Sequence, residues 1–321
     1  MLSRLLSWML PAVPRRAVQR VASRYISGDT AESAIALSAA LAAQGFVTTI
    51  DVLGEDTTTL EQARAAATEY VELMEAMARA GVERNVSLKL SQLGLRVDGS
   101  RAFDELRRVL DGAAGHDFFV RIDMEDSSVT DQTLELYRRA REHWPRVGTV
   151  LQSRLRRTVD DARQLADEGA NVRLCKGIYR EHRSLAYRRR GEIRSSYLEA
   201  ARALLAGRTH AAFATHDLPL LEQVRSAAAE LRPNGQGFEF QALLGVPIRS
   251  SLEALRDQGY PVRLYVPFGK QWYAYSVRRL RENPQLAGAI VRGLFSRDRM
   301  DAGTVHSRPD AVDPGAPPAG P

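Results

Sequence analysis

Short apolar runs and longer amphipathic stretches alternate along the chain from about residue 46 onward. Each short run is rich in β-branched or aromatic residues, which is typical of a buried strand. Each longer stretch carries Ala, Leu, Glu and Arg, with its apolar positions at helical spacing. The predicted strands span residues 46–53, 86–90, 118–124, 148–152, 172–176, 211–215, 237–241 and 262–266. The predicted helices span residues 60–80, 102–113, 134–143, 159–168, 197–205, 218–231, 252–258 and 271–281.

Eight alternations over about 250 residues match the count and length of a (β/α)8 barrel. A doubly wound sheet is not favoured, because the chain has no G-x-G-x-x-G fingerprint. We therefore expect an α/β fold, a distorted TIM-like (β/α)8 barrel over residues 45–296, with its last helix over the barrel mouth. Residues 1–44 are expected to form an arm of extra helices. Residues 297–321 revert to Asp, Gly, Pro and Ala without periodicity and are expected to be disordered.

The composition excludes several kinds of site. Cys175 is the only cysteine among 321 residues, so the chain can form neither an intrachain disulfide nor a cysteine cluster for a metal. It lies in an apolar run, which favours a small core residue over a nucleophile. The six histidines show no H-x-H or H-E-x-x-H spacing, and no metal site is expected. A cytoplasmic location fits a lone reduced cysteine.

A net charge of +6 suits an anionic partner, but much of the excess is local. Arginines cluster at 188–190 and again beside the apolar residues of the amino end. The apolar stretch around Trp8 is broken by Pro11 and Pro14 and is far shorter than the roughly 20 residues of a spanning helix. A packed amphipathic helix is expected there first, and a peripheral contact with the inner face of the cell membrane second. Nucleic-acid binding is not expected, because the basic residues lack interleaved aromatics.

Polar side chains stand at or near the end of every predicted strand, where catalytic residues gather in such barrels. They are Asp51, Lys89, Asp123, Gln152, Arg173 with Lys176, Thr215 with His216, Glu239 with Gln241, and Tyr265. A charge buried in a barrel must be paired or bound to a ligand, because an isolated buried ion costs on the order of several kcal/mol. The set indicates an internal ion-pair network or a polar ligand. A Schiff-base lyase with Lys89 or Lys176 as nucleophile remains open on the residues alone.

A tyrosine and two arginines follow the last predicted strand. Tyr275, Arg278 and Arg279 lie three and four residues apart, so they share one face of the predicted helix. Guanidinium groups match a carboxylate in a planar, two-bond geometry. The spacing is typical either of a carboxylate-binding helix or of a solvated arginine pair beside a packed tyrosine. The first interpretation predicts a substrate that carries a carboxylate.

Taken in chain order, these motifs resemble those of the proline dehydrogenase family. The similar segments are Leu53-Gly54-Glu55, Ile122-Asp123-Met124-Glu125, Arg173 to Tyr179, Ala214-Thr215-His216, Glu239-Phe240-Gln241 and Tyr275 to Glu282. The resemblance covers the chain from about residue 27 to 295 and points to the small monofunctional bacterial form. It implies a barrel with FAD that oxidises L-proline to Δ1-pyrroline-5-carboxylate, the first step from proline to glutamate. It also implies that the electrons pass to a membrane quinone.

The resemblance further implies roles on the substrate side. The residues that would bind the proline carboxylate are Lys89, Arg278 and Arg279, with Tyr275 beside them. Tyr265, supported by Asp123, would pack against the substrate ring and disfavour a hydroxylated proline. Glu55 would pair with Arg278 when the site closes and so act as a gate.

On the cofactor side, the resemblance implies that one set of residues contacts the flavin. They are Met124, Gln152, Arg173, Lys176, Gly177, Ile178, Thr215, His216 and Glu282, with Glu239 as a further contributor. A cationic donor stabilises the anionic reduced flavin, so Arg173 or Lys176 would tune the cofactor. The chain departs from the family pattern at three positions. Asp217 stands where asparagine is usual, Ile178 where alanine is common, and Arg180 where tryptophan is frequent.

Overall fold

The computed structural model describes residues 25–54, 57–273 and 276. The strands are β1 (Val47–Val52), β2 (Asn85–Lys89), β3 (Phe119–Asp123), β4 (Val147–Gln152), β5 (Asn171–Cys175), β6 (His210–Ala214), β7 (Phe238–Leu243) and β8 (Val262–Phe268). The helices are α1 (Ala31–Ala42), α2 (Leu60–Ala80), α3 (Gly99–Gly115), α4 (Thr130–His143), α5 (Thr158–Asp167), α6 (Arg190–Ala206), α7 (Leu218–Leu231) and α8 (Arg249–Asp257). The predicted arm is described only from residue 25, where it contains α1. The predicted tail and most of the helix predicted for 271–281 lie outside the described residues.

The eight strands form a closed parallel barrel in chain order, in which β8 pairs with β1. Helix α1 precedes the barrel, and one helix joins each strand to the next. The predicted (β/α)8 barrel is therefore confirmed, and α2 and α7 have the predicted bounds. Helix α6 begins at Arg190, well before the predicted start at 197, so the basic cluster 188–190 lies at the amino end of a helix. In the described part of the chain, no helix has the length and apolar character needed to cross a membrane.

Helix α2 shows how local signals set the boundaries of an element. The Thr59 hydroxyl accepts a hydrogen bond from the amide of Gln62 at 3.2 Å and caps the amino end. Gly81 ends the helix at a φ of 67°, a left-handed conformation that glycine adopts without strain. Tyr70 and Met74 lie on the buried face between these ends, so the helix packs against the barrel along that face.

The strand register separates apolar from polar side chains. Successive side chains of a strand point to opposite faces of the sheet, and the residues Asp51 and Ser87, like Lys89 and Asp123, are level on neighbouring strands. The residues that pack under the helices are apolar and include Ile50, Val86, Leu88, Val120, Ile122, Leu174, Phe213, Phe238 and Phe240. The residues that meet across the barrel are polar and include Thr49, Asp51, Ser87, Lys89, Asp123, Arg173, Glu239, Gln241, Arg263 and Tyr265. The interior is therefore a hydrogen-bonded layer, where branched apolar side chains dominate in many barrels of this fold.

Ion pairs of Arg263 lie in the amino-terminal half of the barrel. Arg263 donates from Nε and Nη2 to the two carboxylate oxygens of Glu239, at 2.9 and 3.0 Å, and from Nη1 to Glu83 at 3.0 Å. Burial raises the pKa of Glu239, but Arg263 and His210 together outweigh that effect, and the pKa lies well below the ordinary value. The predicted end of strand seven at residue 241 is wrong, because β7 continues to Leu243. Glu239 is thus the second residue of its strand and lies deep in the barrel, away from the mouth.

Candidate active site

Asp123 is the meeting point of three predicted site residues. It is the last residue of β3, and its Oδ1 accepts a hydrogen bond from Nη1 of Arg173 at 2.7 Å. Its Oδ2 accepts a hydrogen bond from the Tyr265 hydroxyl at 2.8 Å, and Nζ of Lys89 lies 3.8 Å from the same oxygen. Strands β2, β3, β5 and β8 each supply one of these four side chains. The barrel therefore brings Lys89, Asp123, Arg173 and Tyr265 together, as the sequence predicted.

Arg173 is held in one orientation by three acceptors. Besides Asp123, its Nε donates to Oε1 of Gln241 at 2.6 Å and its Nη2 donates to the Ser87 hydroxyl at 3.1 Å. The side chain is buried, and its guanidinium carbon lies 5.2 Å from the centre of the Tyr265 ring. Because each nitrogen of the guanidinium has a hydrogen-bond partner, the side chain is held in one orientation and its positive charge has a fixed position.

Asp51 is the buried partner of Lys89. The Lys89 ammonium donates to both carboxylate oxygens of Asp51, at 3.2 and 3.3 Å, while Asp51 is fully buried on β1. Burial lowers the pKa of Lys89, but Asp51 and Asp123 outweigh it and hold the pKa above the ordinary value. Burial raises the pKa of Asp51, and Lys89 opposes that effect. In the sequence, Asp51 stands near the end of a predicted strand, but no role was predicted for it.

The charges of this cluster cancel. Asp51 and Asp123 are acidic, while Lys89 and Arg173 are basic, so the four side chains carry no net charge as a group. A substrate carboxylate would therefore need further cations to be held strongly. The residues predicted for that task and for the gate lie outside the described residues, as does one predicted flavin contact. They are Tyr275, Arg278, Arg279, Glu55 and Glu282.

A second group of predicted residues lies where β4, β5 and β6 end. Gln152 donates from Nε2 to the carbonyl of Glu125 at 2.6 Å, and Gly177 packs against it. Gly177 has a φ of 85°, and a β-carbon there would lie 2.7 Å from Oε1 of Gln152. Only glycine fits this position without strain, because φ is positive and the Gln152 side chain already occupies the place that a β-carbon would take. Met124, directly after β3, is buried, whereas Ile178 is exposed.

Thr215 and His216 follow β6 and face the neighbouring strand and helix. Nε2 of His216 accepts a hydrogen bond from the amide of Leu243 at 3.2 Å, so in the neutral ring the proton is on Nδ1. The Thr215 hydroxyl accepts a hydrogen bond from the amide of Asp217 at 3.2 Å. These contacts fix the turn that leads from β6 into α7.

Asp217 joins two cations at this edge of the barrel. Its carboxylate accepts hydrogen bonds from Nζ of Lys176 and from two nitrogens of Arg194, Nε at 2.7 Å and Nη2 at 2.8 Å. Burial raises the pKa of Asp217, but Arg194 and Lys176 together lower it to about 2. The sequence alone gave Arg194 no role, because its partner lies on the next strand-helix unit and the helix was predicted to begin only at residue 197.

The fold and the site define a (β/α)8 barrel enzyme with a charged polar interior. The sequence model of the proline dehydrogenase family matches residues 34–291. Proline dehydrogenase 1 of Bacillus subtilis (strain 168) is 34% identical over 276 residues, which cover 86% of this chain and 91% of that protein. Proline dehydrogenase of Deinococcus radiodurans is 33% identical over 289 residues, with 88% and 92% covered. The chain belongs to the proline dehydrogenase family.

A solved structure shows the same fold in a larger protein. Proline utilization A from Bdellovibrio bacteriovorus superimposes with a TM-score of 0.76 at 25% identity, over 85% of this chain and 34% of that one. This chain therefore corresponds to about a third of that protein's length. The match confirms the predicted barrel, and the family model with the two relatives confirms the predicted family.

Proposed function

We propose that the protein is an FAD-dependent enzyme that oxidises L-proline to Δ1-pyrroline-5-carboxylate, the first step of proline catabolism to glutamate. Membership of the proline dehydrogenase family supports the reaction. The observation that carries the proposal is Asp123, which orients Arg173 through one carboxylate oxygen and Tyr265 through the other. A cation and an aromatic ring thus have fixed positions at one end of the barrel. A small ring with a redox-active carbon requires this kind of rigid placement.

On the substrate side, the described residues Tyr265 and Lys89 have different roles. The Tyr265 ring packs against the substrate ring. Its hydroxyl donates a hydrogen bond to Asp123, which holds the ring in one orientation. Lys89 presents its ammonium to the substrate carboxylate, and Asp51 keeps that ammonium charged. Arg278, Arg279 and Tyr275 supply the remaining contacts in this proposal, and Glu55 is the gate that pairs with Arg278.

The residues on the cofactor side fit a flavin. Gly177 has no side chain, so its backbone can lie closer to a ligand than that of any other residue, and the cations Arg173 and Lys176 stand on and directly after the same strand, β5. In the proposal the flavin is held by Met124, Gln152, Arg173, Lys176, Gly177, Ile178, Thr215, His216 and Glu282. When bound, FAD supplies the acceptor for the hydride that leaves the proline ring. Arg173 contributes a fixed positive charge, which stabilises an anion nearby.

The Schiff-base alternative is disfavoured by the state of the two lysines. A lysine must be neutral to attack a carbonyl. Lys89 lies between two carboxylates that keep its pKa above the ordinary value, and Lys176 forms an ion pair with Asp217. Neither environment favours a free amine.

The proposal includes a quinone as the electron acceptor and a peripheral location at the inner face of the cell membrane. A quinone dissolved in a membrane requires that the reduced enzyme reach the membrane surface. The exposed basic residues at 188–190, at the amino end of α6, suit an anionic surface.

Anaerobic spectroscopy of the purified protein tests the proposal. The holoenzyme should show flavin absorbance that bleaches on addition of L-proline and returns on addition of a soluble quinone. D-proline is the matched control and should leave the spectrum unchanged. A colourless protein that borohydride traps with a ketoacid would instead support the lyase, and a flavin that L-proline does not bleach would overturn the substrate assignment.

A further inference from the structure

Asp217 and Arg194 form a charged pair beside Lys176 that the proline reaction does not itself require. We propose that Arg194 and Asp217 set the positive charge that Lys176 presents to FAD, which is an anion. This inference rests on the proposed FAD. It assigns Arg194, on α6, a positioning role toward a cofactor that it need not touch.

The geometry makes Asp217 the centre of the cluster. Only 9% of its side chain is exposed, and its two oxygens take one contact from Lys176 and two from Arg194. Two parallel bonds from one guanidinium fix the carboxylate plane. Lys176, with 36% of its side chain exposed, is therefore tethered at one end of the barrel, next to Gly177 in the chain.

The charge balance explains why an arginine is present. One carboxylate and two cations give the cluster a net charge of +1. An uncharged side chain at 217 beside Lys176 alone would carry the same +1. Without Arg194, Asp217 would cancel Lys176, and the anionic cofactor would meet a neutral pair. Arg194 thus offsets the negative charge of Asp217 and preserves the local positive charge.

A double-mutant cycle with charge-neutralising substitutions, read out as FAD affinity, tests this proposal. Apoprotein prepared from the holoenzyme is titrated with FAD, and the dissociation constant is read from quenching of flavin fluorescence. Arg194→Gln should weaken binding about tenfold, because the cluster becomes neutral. Asp217→Asn should tighten binding, because the cluster gains a positive charge. The double variant Arg194→Gln/Asp217→Asn should return to within about threefold of the wild type.

Two controls separate charge from folding. Arg202 and Glu230 form an ion pair at 3.2 Å that joins the same two helices, α6 and α7, near their other ends. Arg202→Gln and Glu230→Gln should leave FAD affinity unchanged. Raising the salt concentration should reduce the difference in FAD affinity between Arg194→Gln and Asp217→Asn, since salt screens charges near the surface.

The outcomes are distinguishable. Opposite effects of the single variants, with recovery in the double variant, support the proposal. Equal affinities, or losses in both single variants that add in the double variant, overturn it and leave a purely structural link between α6 and α7. A wild-type apoprotein that binds no FAD would overturn the proposed function itself.

Discussion

Lys89 and Asp51 form an ion pair inside the barrel, in which the ammonium nitrogen lies 3.2 and 3.3 Å from the two carboxylate oxygens. Asp51 is fully buried, while Lys89 keeps 17% of its side chain exposed. Asp123 lies farther from the same ammonium, at 3.8 Å. Asp51 is therefore the main partner that fixes both the charge and the position of Lys89.

The first prediction concerns this pair. Asp51→Asn keeps the shape but removes the charge, so Lys89 loses the partner that holds its ammonium in place. We expect KM for L-proline to rise about tenfold with flavin content retained, the effect of losing about 1.4 kcal/mol of binding. Steady-state kinetics with a soluble quinone measure it. Glu83→Gln, which loosens Arg263 at the opposite end of the barrel, is the control and should leave KM unchanged. An unaltered KM in Asp51→Asn would contradict the role given to Asp51.

A second prediction concerns the Tyr265 hydroxyl. Tyr265→Phe keeps the ring but loses the 2.8 Å hydrogen bond to Asp123, so the ring can move and leaves more room for a substituent. We expect kcat/KM for L-proline to fall about threefold to tenfold, the range for one lost hydrogen bond. The same variant should accept a hydroxylated proline better relative to L-proline.

The measurement is the ratio of kcat/KM values for the two substrates. Tyr260→Phe is the matched control, because Tyr260 packs on Phe240 with ring centres 5.5 Å apart and lies before β8 at the far end of the barrel. It should leave the ratio as in the wild type. Equal ratios in both variants would show that the hydroxyl does not select the substrate.

The barrel itself was predictable from the sequence, because apolar strand residues must repeat wherever helices cover a parallel sheet. The convergence of Lys89, Asp123, Arg173 and Tyr265 was predictable for a related reason: strand ends in a closed barrel meet at one face. The partners of these residues were not predictable. Whether Lys89 bonds to Asp51 or to Asp123 depends on strand register, and a single sequence does not specify register.

The position of Glu239 along its strand was also not predictable from the sequence. Glu239 was expected near the mouth, since the apolar run of strand seven was read as ending at 241. Its true place depends on the last residues of β7, which pair with β8 up to Leu243 and Tyr265. The pair of Asp217 and Arg194 was hidden because it joins two successive strand-helix units, and helical periodicity reports only contacts within one element.

A third prediction concerns the glycine after β5. Gly177→Ala should cost about 1–3 kcal/mol, because alanine is strained at a φ of 85° and its β-carbon would press on Gln152. FAD affinity should fall with stability. Gly191→Ala is the matched control, since Gly191 lies in α6 with no heavy atom within 4 Å of its added β-carbon. It should be neutral or slightly stabilising. Thermal unfolding and flavin content measure both variants, and equal behaviour would contradict the steric argument.

A fourth prediction follows from the lowered pKa of Asp217. Its folded pKa of about 2 lies below the value of about 3.9 expected in the unfolded chain, so its ion pairs stabilise the fold above pH 4. That contribution should disappear as the pH falls from about 4 to about 2. The Tm difference between wild type and Asp217→Asn should therefore be constant from pH 7 to 5 and shrink below pH 4. Glu230→Gln, at an exposed pair, should show a small difference throughout. A Tm difference between wild type and Asp217→Asn that keeps its full size at pH 2 would contradict the lowered pKa of Asp217.

The fifth prediction follows from the cancelled charges at the site. Asp51 and Asp123 already balance Lys89 and Arg173, so the described residues alone cannot hold a substrate carboxylate strongly. The two adjacent arginines after β8 are the cations that the sequence offers for this task. Arg278→Met and Arg279→Met should each raise KM for L-proline strongly, while flavin content stays at the wild-type level.

Arg281→Met is the control for these variants, because it removes a nearby arginine that the helical spacing does not place with Tyr275. It should leave KM close to the wild-type value. The predicted pattern separates substrate from cofactor contacts, since a carboxylate-binding arginine affects KM and a flavin-binding arginine affects flavin retention. Loss of flavin with an unchanged KM in Arg278→Met or Arg279→Met would move that arginine from the substrate to the cofactor.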